Sequence, residues 1–366
     1  MIHFVVPAAQ DFLMRDYLAC WGRELAGRMK IVHYEALAAA AELDGGTYVL
    51  SALDQLGPSL AGFARELHER FAGSEGFRFL NHPARTLQRR ALLAELHRRG
   101  LNSFRAVLAT DDLSALRYPV FMRGESTHDG ALTPLLPSAR ELDVGLGLVA
   151  VRGRPLSEVL VVEFCPTADA DGYYRKYSAF VVGGRVVPRS LAYGRSWMLK
   201  HEGTLYSRSV VEEELHYVRT NPHRVQLEEI FAIAGVGYGR IDYSLLDGGV
   251  QTWEINLNPT IGRGLRPPSG RVPPELEPIR SETKAHFYDG FRAAWEAVDL
   301  PASSRVPFAH PPVPLARRPG QIGSLLRRGV LRAVATARGA IIPADPLRTP
   351  RYLPLLGRLA RLRATR

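Results

Sequence analysis

Apolar and polar positions alternate with two different periods along the first hundred residues. Short apolar runs at residues 2–6, 30–34, 47–50 and 77–80 predict strands, and amphipathic stretches at about 11–28 and 59–71 predict helices between them. That alternation predicts a small open sheet with crossover helices. Asn81-His82-Pro83 interrupts the pattern, and residues 84–99 read as a helix closed by Gly100. Strands are expected at 104–108 and 118–122, a polar loop at 123–130, a helix around 138–148, and a strongly apolar strand at 159–164 that ends at Cys165-Pro166. Residues 175–182 and 185–191 flank Gly183-Gly184 as a hairpin, and helical patterns at 210–219 and 223–234 lead into a second hairpin. No internal repeat is visible. The class expected is α/β (α+β).

The second hairpin carries the chemistry. Its strands flank Asp247-Gly248-Gly249, which reads as a three-residue turn with glycine in the left-handed position. If Leu246 pairs with Val250, Asp242 faces Glu254 and Arg240 faces Asn256 on one side, while Ile241, Tyr243, Leu245, Trp253 and Ile255 share the other side as core. Like charges directly opposite on a sheet repel, so a compensating positive charge is expected. Carboxylate and amide oxygens favour magnesium. The alternative is a solvated face on which Arg240 partly neutralises the acids.

Composition changes this picture only at the end of the chain. The protein has 366 residues and a formal net charge of +10, room for two or three domains. Residues 301–366 hold thirteen arginines and one acid, Asp345. Removing them from the chain's 47 basic and 37 acidic residues leaves 34 and 36, a net of −2 for positions 1–300, so the body is not a basic protein. Residues 301–320 are proline-rich and read as a linker. Beyond them Ile322, Leu325, Leu326, Val330 and Val334 recur at helical spacing among arginines, a pattern that suits an anionic membrane, a protein partner, nucleic acid, or a solvated extension.

No run of eighteen apolar residues occurs, and residues 1–7 lack the basic start and long apolar stretch of a secretory signal, so a soluble cytoplasmic protein is expected. Cys20 and Cys165 lie far apart without a partner motif, which argues against a disulfide framework or a zinc site. Gly235-Val236-Gly237-Tyr238-Gly239 precedes a strand rather than opening a helix, against a dinucleotide fingerprint, and no G-x-x-x-x-G-K-[ST] loop exists.

Over roughly residues 1–298 the chain resembles the ATP-grasp superfamily, in particular its glutathione synthetase, D-alanine–D-alanine ligase and RimK-like group. The resemblance rests on Arg240-Ile241-Asp242 followed by Glu254-Ile255-Asn256. It implies Asp242, Glu254 and Asn256 as ligands of two magnesium ions, with manganese able to substitute, and Arg240 as the group that meets the phosphoryl in flight. Asn258-Pro259-Thr260-Ile261-Gly262 resembles the turn that approaches the substrate carboxylate. Val161 to Pro166 resembles the hinge strand, which implies backbone contacts from Glu163 and Cys165 to adenine, with Asp169 or Asp171 on the ribose. Tyr118 to Arg123 resembles the strand whose last residue meets phosphates, followed by the closing loop at 124–130. Lys176 and Lys200 are further phosphate candidates, His128 is a candidate base in the loop, and Asn81-His82-Pro83 with Arg89-Arg90 resembles the start of the linker helix. Arginine replaces lysine at 123 and at 89 or 90, and Glu125, His128 and Asp129 stand where glycine and serine are usual.

The resemblance implies an ATP-grasp fold divided into a pre-ATP-grasp α/β domain (1–100), a small lobe (101–165), a lobe with the metal site (166–298), and a linker with an arginine-rich tail (299–366). It implies an ADP-forming, magnesium-dependent ligase that joins a small-molecule carboxylate to an amine or similar nucleophile through an acylphosphate, with no nucleic acid required. A kinase on the same site and a nonenzymatic nucleotide-binding module are the alternatives. Arg189, Arg195, Arg263 and Arg266 hint at an anionic substrate.

Overall fold

The structure, a computed structural model, describes residues 1–127, 130–199, 203–262, 272–301, 305–311 and 313. Lys200, His128, Asp129, Arg263, Arg266 and the basic tail therefore lie outside the described residues. The first elements are β1 (Ile2–Val6), α1 (Phe12–Cys20), β2 (Met29–His33), α2 (Tyr34–Leu37), β3 (Glu42–Asp44), β4 (Gly46–Leu50), α3 (Pro58–Phe71), β5 (Phe77–Leu80) and α4 (Arg89–Arg98). Next come β6 (Ala106–Leu108), β7 (Val120–Gly124), α5 (Ala139–Val151) and β8 (Val159–Glu163). The remainder is β9 (Tyr174–Val182), β10 (Arg185–Gly194), α6 (Arg208–Thr220), α7 (Arg224–Ala234), β11 (Tyr238–Leu246), β12 (Gly249–Asn256), α8 (Glu277–Val298) and β13 (Arg305–Pro307). The class is mixed α/β, with strands and helices at most of the positions that periodicity predicts.

The chain divides into two compact units. The larger holds residues 1–103 and 166–314, and the smaller is built on residues 104–165. In the larger unit β2-β1-β4-β5 form a parallel sheet, and every residue of β1 and β4 is buried, as strands covered on both faces must be. The same unit contains the antiparallel sheet β10-β9-β11-β12. The two sheets share one core: Trp295 of α8, fully buried, meets Phe4 of β1 and Tyr238 of β11 edge-on or tilted. Asn81, held at a left-handed φ of 66°, joins them through its amide, which donates to the carbonyls of Leu50 and Tyr238 and accepts from the N–H groups of Gly237 and Tyr238.

The smaller unit is a three-stranded antiparallel sheet, β6-β8-β7, with α5 against it over a core that includes Val120, Met122, Leu142, Leu146 and Val161.

Three local expectations change. Residues 84–99 yield a helix only from Arg89, because Thr86 and Leu87 are engaged elsewhere: the Thr86 hydroxyl bonds the Gly235 carbonyl and Leu87 N–H bonds Ala234. Part of the proline-rich stretch is not a free linker, since β13 pairs with β3 and Phe308 is buried against Phe63 and Phe71. The longest helix among the described residues, α8, was not among the expected elements, although its buried positions Phe287, Phe291, Ala294, Trp295 and Val298 recur at helical spacing.

Candidate active site

The predicted face exists, and it is reached by a different route. The β11–β12 connection is a two-residue turn, with Leu246 opposite Gly249 and both Asp247 (φ 51°) and Gly248 (φ 78°) left-handed, the signature of a type I′ hairpin. Continued without interruption, that pairing would set Trp253 opposite Asp242. A bulge after Tyr243, which pairs with Thr252, absorbs one residue, and Asp242 then faces Glu254, Ile241 faces Ile255 and Arg240 faces Asn256. Asn102 holds the strand at the bulge: its amide accepts from Thr252 N–H at 2.9 Å and donates to Thr252 carbonyl at 3.0 Å, as a neighbouring strand would. Trp253 accordingly leaves the core face where it was expected, and its indole N–H bonds the Ser244 hydroxyl at 3.0 Å. Tyr243 stays in the core, hydrogen-bonded to Tyr217 and His223; Tyr217 in turn donates to the Ser178 carbonyl and so supports the strand pair β9–β11 from behind.

The compensating charge that the opposed acids require comes from the protein's own cations. Arg240 Nε lies 2.9 Å from Asp242 Oδ1, and Lys176 Nζ lies 3.7 Å from Asp242 Oδ2 while donating to the Leu199 carbonyl. Glu254 pairs with Arg89, the first residue of α4, whose side chain is only 6% exposed. Arg89 lies at the helix start that the sequence resemblance implies, but no local spacing signals its contact with Glu254, 165 positions away.

The turn beyond β12 is tied down by two arginines. Asn256 Oδ1 accepts from Asn258 N–H, and the buried Asn258 amide reaches Gln10. Arg240 Nη1 donates to the Thr260 carbonyl and Arg189 Nε to the Ile261 carbonyl. Arg189 is the extra residue of a bulge in edge strand β10, between Pro188 and Ser190. Its guanidinium lies 4.5 Å over Phe287 and 5.9 Å from the ring of Tyr288, and burial holds its pKa below the ordinary arginine value, with Arg240 and Arg280 adding to that shift against Tyr288 and Glu214.

Other candidates sit in structural roles or at the surface. Asp169 caps its own turn and takes Arg175 at 2.6 Å, whereas Asp171 is exposed. Arg195 stacks on Tyr173, which stacks on Tyr193. In the smaller unit Arg123 is half-buried on β7 opposite Leu160, and Cys165 is buried. The Glu163 carboxylate, 1% exposed, receives both side chain and backbone N–H of Arg105 and of Arg117. Its own N–H bonds the Arg105 carbonyl.

Asp242, Glu254 and Asn256 offer hard oxygen donors of the kind magnesium takes. A carboxylate accepts at about four lone-pair positions, so an oxygen that already meets a cation keeps acceptor capacity. The donor set fits the metal. Among the described residues no group of three or more His, Cys, Asp and Glu is placed to hold a metal. No described helix is long and apolar enough to cross a membrane.

No family model and no curated protein matches the chain. Among solved structures it is similar to D-alanine–D-alanine ligase from Bacillus anthracis complexed with ATP, at 11% identity and TM-score 0.41, over 81% of this chain and 99% of that one. It is similar also to the macrocyclase MdnC from Microcystis aeruginosa bound with precursor peptide MdnA (13%, TM-score 0.43, 80% and 100%). A RimK domain ATP-grasp protein from Sphaerobacter thermophilus matches at 15% identity and TM-score 0.37, over 79% and 99%. The likeness to all of them is one of fold.

Proposed function

We propose that the chain is an ATP-grasp enzyme that joins a carboxylate to an amine and releases ADP and phosphate. The observation that supports this reading most is the pairing of Asp242 with Glu254 and of Arg240 with Asn256, which gathers the residues of both motifs on one sheet face. In the proposed reaction a substrate carboxylate oxygen attacks the γ-phosphorus, the bond to the bridging oxygen breaks and ADP departs. The amine nitrogen then attacks the acyl carbon and loses a proton as phosphate leaves. Asp242, Glu254 and Asn256 would hold magnesium, which supplies charge neutralisation at phosphate oxygens. Arg240 and Lys176 offset charge at the transferred group, and the turn at Asn258 to Gly262 positions the acid. For the smaller unit we keep the proposal that Arg123 and the backbone at Glu163 and Cys165 meet nucleotide.

Glu254 also neutralises a buried arginine, so the test needs two variants. Glu254→Gln is expected to slow ADP formation about a hundredfold or more. Arg89→Met should lose stability yet keep most of its turnover when assayed below its own melting point. Equal turnover of Glu254→Gln and wild type would overturn the assignment, and a stable phosphorylated product would identify a kinase instead. The ion pairs favour one other reading: with Arg89, Arg240 and Lys176 the acids are balanced without metal, as in a nonenzymatic nucleotide-binding module. Calorimetric ATP binding without turnover on any carboxylate would select it.

A further inference from the structure

Among the described residues the cations and acids around the turn at 258–262 do not balance. Lys176 and Arg240 share Asp242, and Arg280 pairs with Glu214, whose other oxygen accepts from Leu191 N–H. Arg189 remains. Its contacts are the Ile261 carbonyl through Nε and the rings of Phe287 and Tyr288; no carboxylate pairs with it among the described residues. Residues 263–271, Arg-Gly-Leu-Arg-Pro-Pro-Ser-Gly-Arg, contain no acid that could do so.

This arrangement is built rather than incidental. A bulge in β10 is spent on Arg189, and bulges re-aim a side chain out of the regular alternation of a strand. Nε is fixed on a carbonyl and one face of the guanidinium is covered by Phe287, so the remaining donors are Nη1 and Nη2. The residue as a whole is half-buried. Two such parallel donors match the two oxygens of a carboxylate. A half-buried cation near Arg240 and Arg280, with no paired carboxylate among the described residues, costs stability, and an anionic ligand would relieve that cost.

We propose that Arg189 recognises a second, unreacting carboxylate on the substrate, so that the acid activated beside Arg240 is a dicarboxylate. The substrate class rests on the ligase reading above; the anion site itself does not. Ring contacts extend the site sideways, since Tyr288 stacks at 4.2 Å on Trp21, a residue 45% exposed. A Cβ at Gly262 would overlap the Tyr288 hydroxyl, so the chain passes close over this shelf.

The test uses the full chain at constant ionic strength. Melting temperature is followed with succinate, glutarate, aspartate and glutamate, against butyrate and inorganic phosphate. At least one diacid should raise it while butyrate and phosphate do not. The rise should vanish in Arg189→Met and persist in Arg195→Met, whose guanidinium stacks on Tyr173 instead. In ADP-release assays Arg189→Met should raise KM for the diacid about ten- to a hundredfold, the loss expected for a charged hydrogen-bond pair, with KM for ATP unchanged. Stabilisation by none of the diacids, an equal effect of phosphate, or an undiminished effect in Arg189→Met would overturn the proposal. Diacid binding without any ATP turnover would leave the anion site standing and remove the ligase reading.

Discussion

Glu163 shows how a residue can be rightly singled out while its side chain serves another purpose. Resemblance directs attention to its backbone, whereas its carboxylate is the anchor that binds the segments before β6 and β7 to the end of β8. Burial alone would raise its pKa; hydrogen bonds from Arg117 and Arg105 outweigh burial and hold it below the ordinary glutamate value. The folded state therefore prefers the charged form, and the stability so gained is complete above the unfolded pKa of about 4.3. It is lost as pH falls through the lower folded value. Denaturant titrations from about pH 3 to pH 7 should show wild type weakening below about pH 4.5, while Glu163→Gln starts less stable by about 1–3 kcal/mol and varies less across that window. Parallel pH curves for the two proteins would refute the role.

At the scale of elements, strands and helices were legible wherever apolar periodicity is strong, as in β1, β4, α3, β8 and β9. The facing of Asp242 and Glu254 was expected correctly but from a three-residue turn that the chain does not form; a two-residue turn and a bulge give the same facing. The means were not legible: a bulge has no local sequence signature here, and the amide that secures it, Asn102, lies about 150 positions upstream. Nor could the partnership of Arg89 with Glu254 be seen before the chain was folded. Asn102→Leu should thus do more than remove two hydrogen bonds. It leaves the Thr252 N–H and carbonyl buried without partners, a loss of about 2–4 kcal/mol, and releases the pairing beyond it. Hydrogen exchange should accelerate from Thr252 to Asn256 ahead of Gly249 to Gln251; uniform acceleration along β12 would show that Asn102 does not hold the register.

For the whole molecule, the larger unit is closed by contacts between distant parts of the sequence. The Met1 amino group meets the Asp299 carboxylate, and the Thr47 hydroxyl bonds the Val298 carbonyl, so the end of α8 is fixed to the first sheet. From there the chain returns as β13, Arg305 meets Asp44 and Glu42, and Phe308 enters the core beside α3. Phe308→Ala should cost about 3–5 kcal/mol if β13 holds as part of the cooperative unit. A smaller loss, with exchange protection vanishing only at residues 42–44 and 305–308, would instead mark this strap as a segment that opens by itself.

The turn and the bulge of the β11–β12 hairpin also bear on how such a motif can vary. Each shifts the facing of the strands by one position, in opposite senses, and together they cancel. A homologue could lengthen the connection by one residue, straighten the strand, and present the same opposed acids. Opposed acids of this kind can therefore sit on hairpins that differ at the tip, and the tip by itself is a poor guide to whether the face is kept.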